Sequence, residues 1–230
     1  MTLRLFTSNR LEILADTLAE VLEEPLASVL DEEIIVVQSR GMERWVSMQL
    51  AKGHGICANC RFPFPNSFVH EVFQKVISDL PERSDFDPKT MTWRIMKLLP
   101  SCIRRPGFES LSAYLGDTQR NLKRFQLSER IADTFDQYLL FRPQMIFNWE
   151  RGQADHWQAV LWMELVKACG KAHRAALGRH FLETLKDSSS LQKDLPERIS
   201  IFGISALPRF HMEIFSGLAR LTDVNLFLMN

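Results

Sequence analysis

Polar and basic side chains cluster in one short segment, VVQSRGMERW, at the end of an apolar run. The cluster consists of Gln38, Ser39, Arg40 and Arg44, and its two arginines lie one helical turn apart. Beside a helix N-terminus, such guanidinium groups could hold a phosphate or donate hydrogen bonds to a base edge. The alternative is that Ser39 only caps the helix and that the arginines are solvated, which is the commoner arrangement. The segment by itself leaves both interpretations open.

A second set of polar residues lies on one face of a predicted helix. Asp133, Asp136 and Gln137 follow the i, i+3, i+4 spacing. An apolar stripe lies on the opposite face and consists of Leu127, Ile131, Phe135 and Tyr138. Carboxylates and amides accept hydrogen bonds from base amino groups, so this face could read an unpaired strand. An ordinary solvated helix face is the alternative.

The segment HGICANC contains His54, Cys57 and Cys60, whose spacing resembles half of a zinc site or a thiol redox pair. A structural zinc site needs four ligands, and Cys102 and Cys169 stand far along the chain. A redox pair would ordinarily open a helix, whereas this one follows a predicted helix. The sequence therefore predicts no metal site, and Cys57 and Cys60 are structural at most.

The turn TSNR connects a predicted strand to a predicted helix, which is where many nucleotide-binding α/β proteins hold phosphate. A P-loop requires G-x-x-x-x-G-K-[ST], and Ser8, Asn9 and Arg10 supply neither the glycines nor the lysine. The sequence also has no D-E-x-x run, no H-E-x-x-H and no G-x-S-x-G. We therefore predict that the chain neither binds nor hydrolyses ATP, requires no cofactor and is not itself an enzyme.

Hydrophobic periodicity predicts that these residues are carried by a βαβα arrangement. Asn9 and Glu12 resemble a capping box at the start of the first helix. The apolar run 34–37 suits a strand that is covered on both faces of a parallel sheet. A second helix is predicted from about Gly41, with Gly53 as its C-terminal stop. In a parallel sheet, ligands bind outside the C-terminal ends of the strands, so TSNR, VVQSRGMERW and FGISALP are the candidate turns.

The pattern changes after FPFP, which is too rich in proline for a helix or a central strand and is predicted to run extended. Phe64 in this segment could stack on a base or fill a buried hinge. From residue 66 to about residue 185 the segments are amphipathic and helical: NSFVHEVFQKVISDL, KTMTWRIMKLLP, FESLSAYL, LKRFQLSERIADTFDQYLLF and HWQAVLWMELVKACGKAHRAALGRHFLETL.

The α/β pattern resumes near the end of the chain. Ser188, Ser189 and Ser190 are interpreted as a linker, after which RISIFGISALP gives a strand and a turn. A helix over residues 209–221 and a last strand in VNLFLMN follow. The predicted domains are therefore an α/β domain and an all-helical insertion: 1–65 with 196–230, and 66–195. Because the last strand has no helix after it, we expect a fragment of a longer protein.

Composition and charge limit the class of function. The 46% hydrophobic content and few glycines and prolines describe a compact protein of one or two domains. Lys plus Arg and Asp plus Glu balance at 28 each, so no global positive field exists and any nucleic-acid binding must be local. No stretch approaches the roughly 20 apolar residues that span a bilayer. We expect no membrane contact and a reducing, cytoplasmic location.

A series of segments, taken in order, closely resembles the N-terminal part of the RecC family, the gamma subunits of exodeoxyribonuclease V. The likeness covers essentially the whole chain and rests on SNRLEIL, VVQSRGMERWVSMQLA, GICAN, FPFPNSF, MTWRIMKLLP, FQLSERIADTFDQYLLFRP and IFGISALP.

The resemblance implies a superfamily 1 helicase frame that has lost its ATP site. The α/β part would correspond to helicase domain 1A with a P-loop-NTPase-like parallel sheet, and the helical insertion to domain 1B. In the RecBCD complex the family subunit holds the RecB and RecD motors, helps to split forked DNA and scans the 3′-ended single strand for the Chi signal. Motor and nuclease chemistry belong to the partners, so the resemblance assigns this chain DNA repair and recombination without catalysis.

The resemblance also places the family's Chi-scanning tunnel on particular residues of this chain: Gln38, Arg40, Arg44, Phe64, His70, Asp133, Thr134, Asp136, Gln137, Arg142 and Arg174. Some keep the residue type of the best-known members: Gln38, Asp133, Asp136, Gln137, Arg142 and Arg174. The others replace a threonine, a glutamine, a leucine, a tryptophan and a leucine: Arg40, Arg44, Phe64, His70 and Thr134. The sequence of the recognised signal is therefore not expected to carry over.

The sequence thus predicts a catalytically inactive DNA-binding fragment within a larger complex. If one groove holds the strand, Gln38, Arg40 and Arg44 face the helical insertion across it. Their counterparts on the opposite wall would be Asp133, Asp136 and Arg142. One rival is a pure scaffold that docks the RecB and RecD motors without touching DNA, and another is a thiol or zinc protein.

Overall fold

The computed structural model describes residues 2–28, 30–78, 80–81, 84–116, 121–187, 191, 193 and 195–230. Within these residues the chain forms a parallel five-stranded sheet: β1 (Leu3–Ser8), β2 (Glu33–Val36), β3 (Cys60–Arg61), β4 (Arg198–Phe202) and β5 (Asp223–Met229). The helices of the described residues are α1 (Leu11–Leu22), α2 (Arg40–His54), α3 (Pro65–Val76), α4 (Pro88–Cys102), α5 (Glu109–Leu115), α6 (Asn121–Phe141), α7 (Pro143–Glu150), α8 (Trp157–Cys169), α9 (Arg174–Asp187) and α10 (Arg209–Leu218). The predicted α/β class with a parallel sheet is confirmed.

The chain divides into two compact units. The α/β unit comprises Met1–Leu80 and His180–Asn230, and the helical unit comprises Pro81–Arg179. Helix α3, which the sequence placed in the helical insertion, lies in the α/β unit. The identity of the two units as an inactive helicase domain and its insertion stays a prediction.

The strand order is β1-β5-β4-β2-β3, and every neighbouring pair is parallel. The first strand of the chain therefore pairs with the last, with Leu3 opposite Val224. Strand β2 lies inside the sheet, where Ile34 is opposite Ile199 of β4. Because all strands run the same way, the turns that follow β1, β2 and β4 lie at one edge of the sheet, as predicted.

Apolar helices cover both faces of the sheet. On one face, Leu18 of α1 and Val46 of α2 pack against a core that includes Phe202 and Phe227. On the other, α3 and α10 pack together, with Phe68 stacked on Phe215 at 6.0 Å between ring centroids. Burial on both faces explains why the apolar run over residues 34–37, most of which forms β2, is continuous rather than alternating. Strand β4 is likewise buried at every position, although it includes Arg198 and Ser200.

Arg198, at the amino-terminal edge of the sheet, is a buried arginine that donates four hydrogen bonds. The guanidinium of Arg198, 7% exposed, pairs with both carboxylate oxygens of Glu33 at the start of β2. It also donates to the carbonyl oxygens of Val21 at 2.8 Å and Glu24 at 2.7 Å, at the end of α1. These four contacts tie β4, β2 and α1 together, and they satisfy a charge that would otherwise be costly to bury.

The helical unit has its own core, in which α4 and α8 pack against α6 and α7. A buried polar network crosses this core: Nε2 of His173 lies 2.7 Å from Oε1 of Glu150, and Nε1 of Trp162 donates to the same oxygen at 3.2 Å. The backbone N–H of Ala176 donates to Nδ1 of His173 at 3.3 Å, so the ring proton resides on Nε2. Burial would raise the pKa of Glu150, but the hydrogen bonds from His173 and Trp162 outweigh it and lower that pKa.

Most predicted elements are confirmed, and the errors are local. The capping box at Asn9 and Glu12 is wrong, because Arg10 is the N-cap of α1 and makes no side-chain cap. Gly53 does not end α2, which continues to His54 and stops at Gly55, whose positive φ of 79° suits a glycine.

Three further elements differ from the sequence-based expectation. Strand β3 and helix α7 were not predicted, and the long segment over residues 156–185 is split at Gly170 into α8 and α9. The proposed linker at Ser188–Ser190 lies outside the described residues. In the part of the chain that the structure describes, no helix is long and apolar enough to cross a membrane.

Candidate nucleic-acid interface

The turns after β1, β2 and β4 meet at the carboxyl edge of the sheet. Gly203, directly after β4, has a positive φ of 66°. A Cβ placed on Gly203 would lie 3.0 Å from Cε of Met42 in α2 and 3.7 Å from Cδ1 of Leu11 in α1. The third turn is therefore packed against the first turns of both helices, and glycine is needed there for its conformation and for this close approach.

The second turn presents the polar cluster that the sequence predicted. The hydroxyl of Ser39 accepts a hydrogen bond from the N–H of Met42 at 3.1 Å, so Ser39 caps α2 as the alternative interpretation held. The N–H of Val37 donates to the carbonyl of Pro63 at 3.1 Å and fixes the turn beside the FPFP segment. Gln38 lies exposed at the surface.

Arg40 has two neighbours that hold it at the surface. Its guanidinium lies 5.3 Å from the ring centroid of Phe64, and its Nη1 lies 2.6 Å from Oε2 of Glu43. The Arg40 side chain remains 77% exposed, so the pair with Glu43 is worth only about 0–1 kcal/mol. A phosphate could therefore replace Glu43 at little cost. Sequence reasoning did not include Glu43, although its i, i+3 spacing from Arg40 was visible.

A shallow cavity of about 470 Å³ runs along the exposed side of α2. Its lining consists of Arg40, Glu43, Arg44, Ser47, Met48, Ala51 and Cys57. Both arginines therefore face one concave surface, whose floor is partly apolar. This surface combines charge for a phosphate with apolar contact for a sugar or base.

Phe64 and His70 lie on either side of the start of α3. Phe64 is half-buried and extended, with φ of −78° and ψ of 152°, and its carbonyl accepts from the N–H of Phe68 at 2.9 Å. The extended course of FPFP is confirmed up to Phe64, and Pro65 begins the helix. His70 is half-buried on α3.

In the helical unit, α6 presents the predicted polar face. Asp133 and Gln137 are exposed, whereas Phe135 on the other side of the helix is fully buried. Thr134 is half-buried, and its Oγ1 donates to the carbonyl of Arg130 at 2.8 Å. The amphipathic arrangement of α6 is confirmed.

Asp136 is the most enclosed carboxylate of this face. Its Oδ1 lies 3.1 Å from Nη2 of Arg174 on α9, and the two side chains are 14% and 22% exposed. Burial is the main reason why the pKa of Asp136 is raised, and the charges of Asp87 and Asp133 raise it further, while Arg174 opposes them. The structure thus joins two predicted residues that lie far apart in sequence.

Arg142 lies at the junction of α6 and α7, where it is the N-cap of α7. It is exposed, and its guanidinium lies 5.9 Å from the ring centroid of Tyr138. Tyr138 was assigned only to the apolar stripe, but its ring also orients this arginine. The prediction that the cluster on the α/β unit and the cluster on the helical unit form opposite walls of one groove stays a prediction.

Cys60, in β3, is poorly suited to thiolate chemistry. Burial is the chief cause that raises the pKa of Cys60 to about 12, and neighbouring Cys57 raises it further. The Sγ of Cys60 lies 3.4 Å from the carbonyl of Ala58. In the described parts of the chain, no three His, Cys, Asp or Glu side chains are grouped as a metal ion would require.

Comparison with known proteins gives the class of this chain. The family model described as RecC, N-terminal domain, matches residues 3–230. The chain therefore belongs to the RecC N-terminal domain family.

Particular relatives support the same assignment. The chain is 38% identical over 241 residues to the RecBCD enzyme subunit RecC of Escherichia coli strain K12, an alignment that covers 99% of this chain and 22% of the relative. The RecBCD enzyme subunit RecC of Haemophilus influenzae is 36% identical over 86% of this chain and 20% of its own length. That of Mycolicibacterium smegmatis is 29% identical over 99% of this chain and 21% of its own length. The chain thus spans about a fifth of the length of these relatives.

Proposed function

We propose that this chain is a non-catalytic DNA-binding part of a RecC-type subunit. In this role it binds the 3′-ended single strand of a forked duplex during double-strand break repair and scans it for a Chi-like signal. RecB-like and RecD-like subunits would be its partners, because its relatives are named subunits of the RecBCD enzyme. The cytoplasm is the proposed location.

One observation carries the proposal. Arg40 begins α2 at the carboxyl edge of a parallel sheet, Arg44 lies one turn further along the helix, and both line one shallow cavity. Ligands of parallel sheets bind at this edge, and the first turn of a helix favours an anion. The ring of Phe64, beneath the guanidinium of Arg40, adds an aromatic surface for a base.

A DNA strand also needs groups that distinguish one base from another. Asp133, Gln137 and the Asp136–Arg174 pair supply acceptors and donors on the helical unit. In this proposal the arginines of the α/β unit hold phosphates, whereas the carboxylates and amide of α6 accept hydrogen bonds from base amino groups. His70, Thr134 and Arg142 are proposed members of the same site.

The absence of motor activity is part of the proposal. Strand β1 ends at Ser8 and α1 begins at Leu11, so only Asn9 and Arg10 connect them. A P-loop wraps the phosphates with a longer glycine-rich segment and a lysine, which two residues cannot provide. ATP hydrolysis and nuclease activity would then reside in the partner subunits.

The test is binding of fluorescent single-stranded DNA at a series of salt concentrations. We expect salt-dependent binding by the chain and by the assembled complex that contains it, with no magnesium-dependent ATP turnover by the chain alone. The double variant R40Q/R44Q should bind more weakly, whereas Arg220→Gln, at the opposite edge of the sheet, should bind as the unmodified chain does. Equal binding by the two variants would refute the proposed interface.

A scaffold without DNA contact is the second candidate. It is favoured by exposed apolar side chains on the edge strand β1, where Leu3 is 46% and Leu5 is 60% exposed. Such side chains on an open edge suit contact with another protein surface. If L3K/L5K abolished assembly with the partners while R40Q/R44Q left DNA binding intact, the scaffold would be the better description.

A further inference from the structure

An exposed aromatic surface lies at the amino-terminal part of α6, and none of its residues belongs to the proposed site. Trp93 of α4 is 62% exposed, and its ring centroid lies 5.2 Å from that of half-buried Phe125 on α6. Leu122 of α6 is 69% exposed. Large apolar side chains grouped in this way on a surface usually mark a contact site. We call Lys89, Trp93, Lys97, Leu122 and Phe125 the Trp93 surface.

The Trp93 surface continues the same side of α6 that carries the base-reading residues. Phe125 precedes Asp136 by eleven residues, and Leu122 precedes Asp133 by the same number. Eleven residues are about three helical turns, so each pair lies on one side of the helix about 16 Å apart. The polar set and the apolar set are therefore consecutive parts of one face.

Helix α4 runs alongside this face. Its N-cap, Asp87, is close enough to Asp136 to act on its ionisation, and six residues later Trp93 contacts Phe125. Lys89 lies between these two contacts along α4. A ligand that follows the face from Asp136 towards Phe125 thus passes Lys89 before it reaches Trp93.

The charges around Trp93 identify the kind of ligand. Lys89 and Lys97 lie one helical turn before and after Trp93, and both are exposed. Neither forms an ion pair within the part of the chain that the structure describes. An aromatic ring between two available ammonium groups suits a nucleobase with phosphates on either side. An amphipathic protein helix would gain less here, because its apolar face would leave both lysines without partners.

We propose that the Trp93 surface is a stacking platform for single-stranded DNA, which extends the strand path beyond Asp133 and Asp136. One base stacks on Trp93, which Phe125 supports from the side, and Lys89 and Lys97 contact the flanking phosphates. The platform is insensitive to base sequence, since every base offers a π-face. This inference rests on the proposed function. The platform would add affinity for the strand and fix its position, while other residues of the site read the bases.

The test uses oligo(dT) with single 5-iododeoxyuridine substitutions, bound to the 230-residue chain and to the assembled complex. Irradiation should cross-link one position of the strand to Trp93. Trp93→Leu should weaken binding roughly tenfold, whereas Trp93→Phe, which keeps a ring, should stay within about threefold of the unmodified chain. The double variant K89Q/K97Q should lower the slope of log K against log salt by about 1.4.

Tyr114→Leu is the matched control. Tyr114 is a second exposed aromatic residue, and it packs against Lys123 with 4.4 Å between Nζ and the ring centroid. Lys123 and Phe125 are two residues apart on α6, so they point to opposite sides of the helix. Tyr114→Leu should therefore bind DNA as the unmodified chain does. Circular dichroism melting of each variant checks that the fold is retained.

The outcomes separate this inference from the proposed function. If the unmodified chain and the complex bind no single-stranded DNA, the proposed function fails and the platform fails with it. If both bind DNA but Trp93→Leu binds equally well, only the platform is refuted. If Trp93→Leu loses a partner subunit and keeps its DNA affinity, the surface is a protein interface and the inference is wrong.

Discussion

The two edges of the sheet in the α/β unit use arginine in opposite ways. At the amino edge, Arg198 is buried and donates to Glu33 and to two carbonyl groups of the chain. At the carboxyl edge, Arg40 is 77% exposed, and its guanidinium lies beside Glu43 and the ring of Phe64. The first arginine holds strands together, and the second remains able to exchange its partner for a ligand. Burial and the number of occupied donors therefore distinguish a structural arginine from a binding one.

The largest effect is expected from the buried arginine. Arg198→Met leaves the carboxylate of Glu33 and the carbonyls of Val21 and Glu24 without their donor, and it should cost about 3–5 kcal/mol of unfolding free energy. Urea unfolding measures the loss. Arg209→Met, whose partner Glu213 is also exposed, is the control and should change stability by less than about 0.5 kcal/mol. If both variants lost similar amounts of unfolding free energy, burial would not distinguish a structural arginine from an exposed one.

An intermediate effect is expected in the helical unit, because Arg174 and Asp136 are enclosed to an intermediate degree. Arg174→Met deprives the Asp136 carboxylate of its neighbouring positive charge and should destabilise the chain by about 1–3 kcal/mol. Chemical denaturation measures this change, with Arg142→Met on the same unit as the exposed control. If Arg174→Met lost as little unfolding free energy as the control, Arg174 would resemble the exposed Arg40 rather than the structural Arg198.

The pH dependence of stability tests the environment of the Asp136 carboxylate, the acidic partner of Arg174. Burial chiefly raises the pKa of Asp136, so over the acid range the folded chain binds more protons than the unfolded chain. The contribution of Asp136 to the free energy of unfolding therefore falls as pH rises from the ordinary pKa of 3.8 through the raised pKa. This contribution is lowest at pH values above the raised pKa. The stability of Asp136→Asn relative to the unmodified chain should increase over this range. Urea unfolding at several pH values measures this difference, with Asp155→Asn, an exposed residue of the same unit, as the control. A difference that stays constant with pH would contradict the prediction.

The smallest effect on stability is expected at the carboxyl edge. Arg40→Gln and Arg44→Gln should each change the unfolding free energy by less than about 0.5 kcal/mol, since both side chains are solvated. Their effect should appear in binding instead, where removing one arginine–phosphate pair lowers the salt slope for single-stranded DNA by about 0.7. A stability loss above about 1 kcal/mol would show that these arginines are structural, like Arg198.

The sequence predicted the fold where the pattern was long and regular. The apolar run that forms β2 and the 21-residue helix α6 have periodicities that survive in the structure. Strand β3 was missed because it has two residues, and its place depends on pairing with β2 rather than on its own pattern. Helix α7 was missed because Pro143 reads as a stop after Phe141, although proline is well placed in the first turn of a new helix.

In the candidate site, the sequence predicted contacts between residues that are close in sequence but not contacts between distant ones. Ser39, Arg40 and Arg44 lie within one helical turn or two, so their common surface could be read from spacing. The pairing of Asp136 with Arg174 could not, because it depends on how α9 packs against α6. The extra role of Tyr138 was hidden for a related reason, since an aromatic residue at helical spacing looks like core until its neighbours are known.

The pairing of the first strand with the last has a consequence for synthesis on the ribosome. Residue 3 meets residue 224 in the sheet, so β1 has no neighbour among the described strands until β5 has left the exit tunnel. At 5–20 residues per second this is a wait of about 10–40 s. The helical unit, which comprises Pro81–Arg179, is complete well before that moment. Nascent chains should therefore acquire a protease-resistant helical unit first, while the leucines of β1 stay without their partner strand until the sheet closes.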